Sequence, residues 1–382
     1  MQNYINGAIL EAIQKADALK GKIPGSGKQH TFFDQLTSKA ESEIDSIKNY
    51  LQYLLNDVDF QNPTILKEKF TTYKELYGRL SLLENVVIAA LTRSHEDDVY
   101  VNKLVEVICR EVQYPITKPV ASCLSKTYYH IYPDYNLLCL PLLEADFLLH
   151  IPDIYHELAH PIISHTDNPK VKKFQDEQGK LNSKAKKYFD EIISKENRNG
   201  KRQNLINFYQ YWKFSWMQNW STEFFCDLYG IYTLGPAFAW SNLHLCVKMS
   251  NNIFKIPYGY TTSHPPDDAR MQVMFIGLEL IGFSDESHKI RDKWNEFKAI
   301  KDAEETEYYD FCIPLNLLEQ TAIHALEATR SINSNIVNLD SMGKIATLLN
   351  DAWSIFWDDQ NYFIEWEREQ VDDLKKKWLS VD

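Results

Sequence analysis

The segment PDIYHELAHPIIS, residues 152–164, decides the expected fold and leads to the predicted chemistry of this chain. Its proline suits the first turn of a helix, where the missing N–H costs nothing. The helix then places His156 and His160 four residues apart, on one face, where both imidazoles can bind one metal ion at about 2 Å. Glu157, next to the first histidine, can take a proton from a water bound to that metal. The segment therefore predicts a metal-binding helix.

A second helix supplies a third ligand. The segment FYQYWKFSWMQNWSTEFFCDLYG, residues 208–230, carries large aromatic side chains three or four apart, followed at the same spacing by two carboxylates. These residues are Tyr209, Trp212, Trp216, Trp220, Glu223 and Asp227. A face that buries the aromatic side chains must bury the carboxylates too, and a buried carboxylate needs a cation or strong donors. We therefore predict Glu223 as a metal ligand and Asp227 as the group that orients a ligand histidine.

Two other interpretations of these residues remain open. Glu223 can be an ordinary carboxylate at a helix N-terminus, with Ser221 or Thr222 as the cap. His165 can be the third ligand, although the metzincin pattern has glycine and histidine at the positions that Ile163 and Thr166 occupy here.

A third segment, HPPDDAR at residues 264–270, predicts a helix start. Ser263 or His264 can cap the helix, the two prolines suit its first turn, and the two aspartates suit its positive end. Arg270 is then expected nearly two turns along the helix.

HELAH, EFFCD and HPPDDAR together resemble the gluzincins that contain the CAAX prenyl proteases and the HtpX heat-shock proteases. Members of that family carry HExxH, then ExxxD, then HP-x4-R, and the resemblance covers residues 135–281. It implies Zn²⁺ bound by His156, His160 and Glu223. It also implies Glu157 as the catalytic base, with Asp227 behind a ligand.

The same resemblance implies that His264 and Arg270 lie near the tetrahedral intermediate. Tyr258 and Tyr260 are further candidates for an oxyanion donor. The chain departs from the family in two respects. It lacks the membrane helices of many members, and Pro161 is expected to kink or end the metal helix just after the site.

The predicted fold class is mainly α with a small β-sheet. A zincin-like metallopeptidase domain at 116–283 is expected between helical regions at 1–115 and 284–382. A strand at 135–140 precedes the metal helix, and zincins use such a strand to hold an extended substrate at the sheet edge.

The composition narrows the function further. A net charge of −12 argues against general nucleic-acid binding. No apolar stretch is long and unbroken enough for a membrane span, and no signal peptide is recognised. The six cysteines form no CxxC pair, so we expect reduced thiols in a cytoplasmic protein. The oligomeric state is not predicted.

The leading hypothesis is a zinc peptidase that cleaves a protein or peptide substrate. Two alternatives remain: a non-haem iron oxygenase on a two-His-one-carboxylate site, and a catalytically idle, metal-stabilised helical scaffold that binds partners. The presence of Glu157 counts against the scaffold, since a structural site needs no base.

Overall fold

A computed structural model of the protein describes residues 2–25, 31–56, 63–93, 96–125, 128–198, 203–250 and 252–379. It is mainly α-helical with one small sheet, so the predicted fold class is confirmed. No helix in these ranges is both long and apolar enough to cross a membrane.

Helices occupy most of the described residues. The α-helices are α1 (Gln2–Lys20), α2 (Asp34–Asn56), α3 (Pro63–Leu82), α4 (Ala89–Thr92), α5 (Glu96–Glu111), α6 (Asp153–Ser164), α7 (Lys172–Arg198), α8 (Gln203–Ser215), α9 (Ser221–Leu234), α10 (Pro236–Met249), α11 (Asp267–Leu280), α12 (Ser284–Ile300), α13 (Tyr309–Cys312), α14 (Leu315–Ser331), α15 (Lys344–Asp358) and α16 (Gln360–Leu379). The strands are β1 (Val120–Ser122), β2 (His130–Tyr132) and β3 (Leu137–Cys139).

The chain forms two compact units. The first takes the described residues of Met1–Lys103 and Pro119–Leu142, and the second takes Leu104–Lys118 and the described residues of Leu143–Ser380. This division runs across the predicted regions 1–115, 116–283 and 284–382. The second unit joins α6 to the C-terminal helices, because α9 packs against both α6 and α14.

The first unit holds α1, α2 and α3 in mutual contact, together with the sheet. In α2, apolar residues three or four apart form one fully buried face, which includes Ile44, Ile47 and Leu51. The sheet has the order β1-β3-β2, with β1 parallel and β2 antiparallel to β3.

The strand expected at 135–140 is shorter and differently placed. A 3-10 turn over Pro133–Tyr135, followed by Asn136 in a left-handed conformation (φ 51°), delays the strand to Leu137–Cys139. That strand pairs on both sides, so its backbone groups are already used. The expectation that it offers an open edge to a substrate is therefore wrong.

In the second unit, α9 is the central helix and contacts α6, α10, α11 and α14. Two glycines permit close approach of its neighbours. A Cβ at Gly230 of α9 would lie 2.8 Å from the ring of Phe238 in α10, and a Cβ at Gly277 of α11 would lie 2.7 Å from Leu228 in α9. Neither position can carry a larger side chain unless the neighbour moves.

We expect Gly230→Ala to lower the free energy of unfolding by about 1–3 kcal/mol, because the new methyl group overlaps the Phe238 ring in a packed core. Gly179→Ala in α7 is the matched control, since a Cβ there meets nothing within 4 Å. Its better helix propensity should stabilise the protein by about 0.5–1 kcal/mol. Urea unfolding measures both variants, and equal stability of the two would contradict the packing explanation.

Candidate metal centre

Helices α6 and α9 bring the predicted ligands together. The Nε2 atoms of His156 and His160 are 3.2 Å apart, and Glu223 Oε2 lies 3.5 Å from His156 Nε2. Two ligands bound tetrahedrally to zinc at 2.0–2.1 Å are separated by about 3.3 Å. Both distances from His156 Nε2 are therefore close to the separation of two ligands on one tetrahedral metal ion.

The burial of α6 explains how this helix positions its histidines. Every residue from Asp153 to Ala159 is buried, and the Leu158 carbonyl accepts a hydrogen bond from the Tyr114 hydroxyl at 2.9 Å. Pro161 does not end the helix directly. Three more residues remain helical, because the Pro161 carbonyl still accepts the N–H of His165 at 3.1 Å.

Asp227 holds the first histidine from behind. Its Oδ1 lies 2.8 Å from His156 Nδ1, so Asp227 accepts the Nδ1 proton and orients the ring with Nε2 toward His160 and Glu223. Asp227 is completely buried, and Arg270 of α11 contacts both of its oxygens, at 2.6 and 2.7 Å. Arg270 thus acts on the site through Asp227, and its guanidinium is already engaged by this carboxylate.

The aromatic stripe is buried as predicted, and it has a second role that the sequence did not show. A π-helical turn at Trp216–Trp220 joins α8 to α9 without a break. The indole N–H of Trp212 donates to the Pro257 carbonyl at 2.7 Å, and that of Trp220 donates to Thr262 Oγ1 at 3.0 Å. These bonds fix the segment that leads to His264 against the helix that carries Glu223.

The start of α11 differs from the prediction. Pro266 is the N-cap residue and no side chain caps the helix, so neither Ser263 nor His264 has the capping role. Arg270 lies in the first turn and not nearly two turns along, because both prolines precede the helix. A cap is equally absent at Ser221 and Thr222, since α9 continues directly from the π-helical turn.

His264 lies at the exposed side of the site. Its side chain is 63% exposed, and its Nε2 is 3.5 Å from Glu223 Oε2. Ser263 Oγ contacts its Nδ1 at 2.9 Å. The two proposed tyrosines contribute less: both are partly exposed, and the Tyr258 hydroxyl donates to the Glu307 carbonyl.

The charges of the group are strongly coupled. Burial alone would lower the pKa of His156, but the carboxylates of Asp227 and Glu223 outweigh it and raise this pKa to about 10. Burial would raise the pKa of Glu223, but His156, with His160 and His264 further away, lowers it to about 2. Burial would also raise the pKa of Asp227, and Arg270 keeps it below its usual value.

The predicted base and the alternative third ligand lie on or directly after α6. Glu157 is buried in α6 beside His156, and His165 is half-buried at the end of the same helix.

One possible donor, Cys226, was not predicted from the sequence. Its Sγ lies within 4.8 Å of a ring nitrogen of both His156 and His160. Its position three residues after Glu223, on the same side of α9, is the sequence signal that would have found it.

The chain matches no protein-family description, no curated protein and no solved structure in comparisons with known proteins. The interpretation of the site therefore depends on its own geometry.

We expect Arg270→Met to lower the free energy of unfolding by about 3–5 kcal/mol, because it leaves the Asp227 carboxylate buried with a missing partner. Arg270→Lys keeps the charge and should cost less, but it loses the two-pronged contact. Arg330→Met is the control: its pair with Glu327 is exposed, and such pairs contribute about 0–1 kcal/mol. Equal denaturant midpoints for the two methionine variants would show that Asp227 does not depend on Arg270.

Proposed function

We propose that the protein is a zinc-dependent peptidase. Its proposed ligands are His156, His160 and Glu223, its proposed base is Glu157, and its proposed substrate is a protein or peptide. The proposed relationship to the gluzincins depends on the three motifs and their spacing, now joined by the geometry of the site.

One observation carries the proposal. Glu223 is 9% exposed, yet its Oε2 is buried and accepts no hydrogen bond from any residue that the structure describes. A buried acceptor without a donor is costly, at about 1–3 kcal/mol or more for a charged group. Among the described residues, this atom has only long ion pairs, at 3.5 Å, with Nε2 of His156 and of His264, and a metal ion shared with His156 would satisfy it more closely.

Bound zinc would polarise the scissile carbonyl and lower the pKa of a water at its open position. The other steps belong to the chain's own residues. Glu157 takes the proton of the attacking water and passes it to the leaving amine. His264, exposed at the same side of Glu223, donates to the oxyanion. Asp227 keeps His156 in the tautomer whose Nε2 can bind metal.

The two alternative functions, an iron oxygenase and a metal-stabilised scaffold, would use some of the same metal ligands. A structural site would not require a base at position 157, and no specific contact of the described residues favours iron over zinc. Direct metal analysis distinguishes iron from zinc.

We predict about one zinc per chain in protein purified without chelator, and its loss in His156→Ala, His160→Ala and Glu223→Ala. His165→Ala is the matched control, because this histidine directly follows α6 and is not one of the proposed ligands, and the zinc content of the variant should stay at the wild-type value. Elemental analysis of the folded proteins measures this. Iron in place of zinc would favour the oxygenase, and full zinc occupancy of Glu223→Ala would reject the ligand assignment.

Glu157→Gln should retain zinc and reduce peptide hydrolysis by at least about 10²-fold, because it keeps the shape and removes the base. Asp227→Asn should instead weaken zinc affinity by roughly 10- to 100-fold. A mixture of fluorescence-quenched peptides serves as substrate. Glu191→Gln changes an exposed carboxylate of α7 in the same way, so it controls for general effects of the substitution and of purification. Wild-type turnover by Glu157→Gln would exclude the mechanism.

His264→Asn should lower kcat by roughly 10²- to 10³-fold with little change in KM, since an oxyanion donor acts mainly in the transition state. Because His264 does not cap α11, the same variant should keep the wild-type melting temperature and zinc content. Unchanged turnover would remove His264 from the catalytic group.

A further inference from the structure

Cys226 stands apart from the other cysteines. All six are buried, but within the described ranges only Cys226 belongs to a group with two histidines, in which all donor atoms lie within 4.8 Å of one another. We infer that the sulfur of Cys226 fills the fourth coordination position of the metal site. The site then has a closed form with four protein ligands, and this inference rests on the proposed function.

The helix geometry favours this arrangement. Glu223, Cys226 and Asp227 follow one another at positions i, i+3 and i+4 of α9, so all three project from the side that packs against α6. Glu223 and Asp227 each contact His156 from this side. Glu223 lies at His156 Nε2 and Asp227 at Nδ1, so of the two carboxylates only Glu223 shares the proposed metal position with the thiol.

The distances require only a small adjustment. Zinc binds sulfur at about 2.3 Å and nitrogen at about 2.0–2.1 Å, which places tetrahedral sulfur and nitrogen ligands about 3.6 Å apart. The Cys226 sulfur already lies within 4.8 Å of a ring nitrogen of each histidine, so it needs only a short approach to reach this separation.

A second observation points to a ligand at the same position. The buried Oε2 of Glu223 has no hydrogen-bond partner among the described residues, as noted above. Glu223 Oε2 lies 3.5 Å from His156 Nε2, and Cys226 Sγ lies within 4.8 Å of a ring nitrogen of the same histidine, so a cation bound to His156 would be close to both side chains.

Binding of the sulfur exchanges one bond for another. The S–H bond breaks, the sulfur–metal bond forms, and the proton leaves to water, because a coordinating thiol is deprotonated. No oxidant is needed. With four protein ligands the metal has no position for water, so hydrolysis requires the sulfur to dissociate and regain a proton. Cys226 thus competes with the water that the proposed reaction uses.

Cobalt substitution tests this inference independently of activity. Co²⁺ is added to metal-free wild-type protein, and its absorption spectrum is recorded. We expect visible d–d bands of a tetrahedral site together with a near-ultraviolet sulfur-to-cobalt charge-transfer band. Cys226→Ala and Cys226→Ser should lose the charge-transfer band and keep the visible bands. Cys312→Ala, at another fully buried cysteine of the second unit, should keep both.

The outcomes separate the inference from the proposed function. Visible bands without a charge-transfer band in the wild type overturn the role of Cys226 and leave the metal site standing. A charge-transfer band that persists in Cys226→Ser assigns the sulfur to another cysteine and also overturns it. Absence of any cobalt binding overturns both. The serine variant keeps the side-chain size, so it gives a result even if the alanine variant does not fold.

Discussion

The buried carboxylate of Asp227 is the constraint on which the site depends. An isolated charge in this position would be very costly, and the protein offsets the cost with a cation on one side and an imidazole on the other. Arg270 comes from α11 and His156 from α6, so this one carboxylate ties three helices together. The orientation of His156 is therefore coupled to the stability of the second unit.

The packing around α9 is close. Helices α10 and α11 both pack tightly against it, and glycines at these contacts permit the approach. The tryptophans upstream of Glu223 contribute both apolar volume and indole N–H groups, which hold the segment before His264. The π-helical turn Trp216–Trp220 contains two of these tryptophans and leads directly into the helix that carries Glu223, and such turns are frequent at functional sites.

Much of the candidate site could be predicted from spacing alone. The four-residue separation of His156 and His160, and that of Glu223 and Asp227, places each pair on one helix face whatever the rest of the chain does. The long-range contacts could not be derived in this way. The family resemblance implies that Arg270 lies near the tetrahedral intermediate, whereas its guanidinium contacts Asp227. Cys226 was overlooked because a single buried cysteine has no significance until its neighbours in space are known.

The sequence by itself determined the helical class, the buried aromatic stripe and the donor atoms of the candidate metal centre, because helical periodicity is a local property. Tertiary structure decided which donors meet, that β3 lies inside its sheet, and that both prolines precede α11 instead of occupying its first turn. It also decided that the C-terminal helices form one unit with the metal helix. These outcomes depend on packing between segments distant in the chain, and no local pattern specifies the partner of a buried charge or of a strand edge.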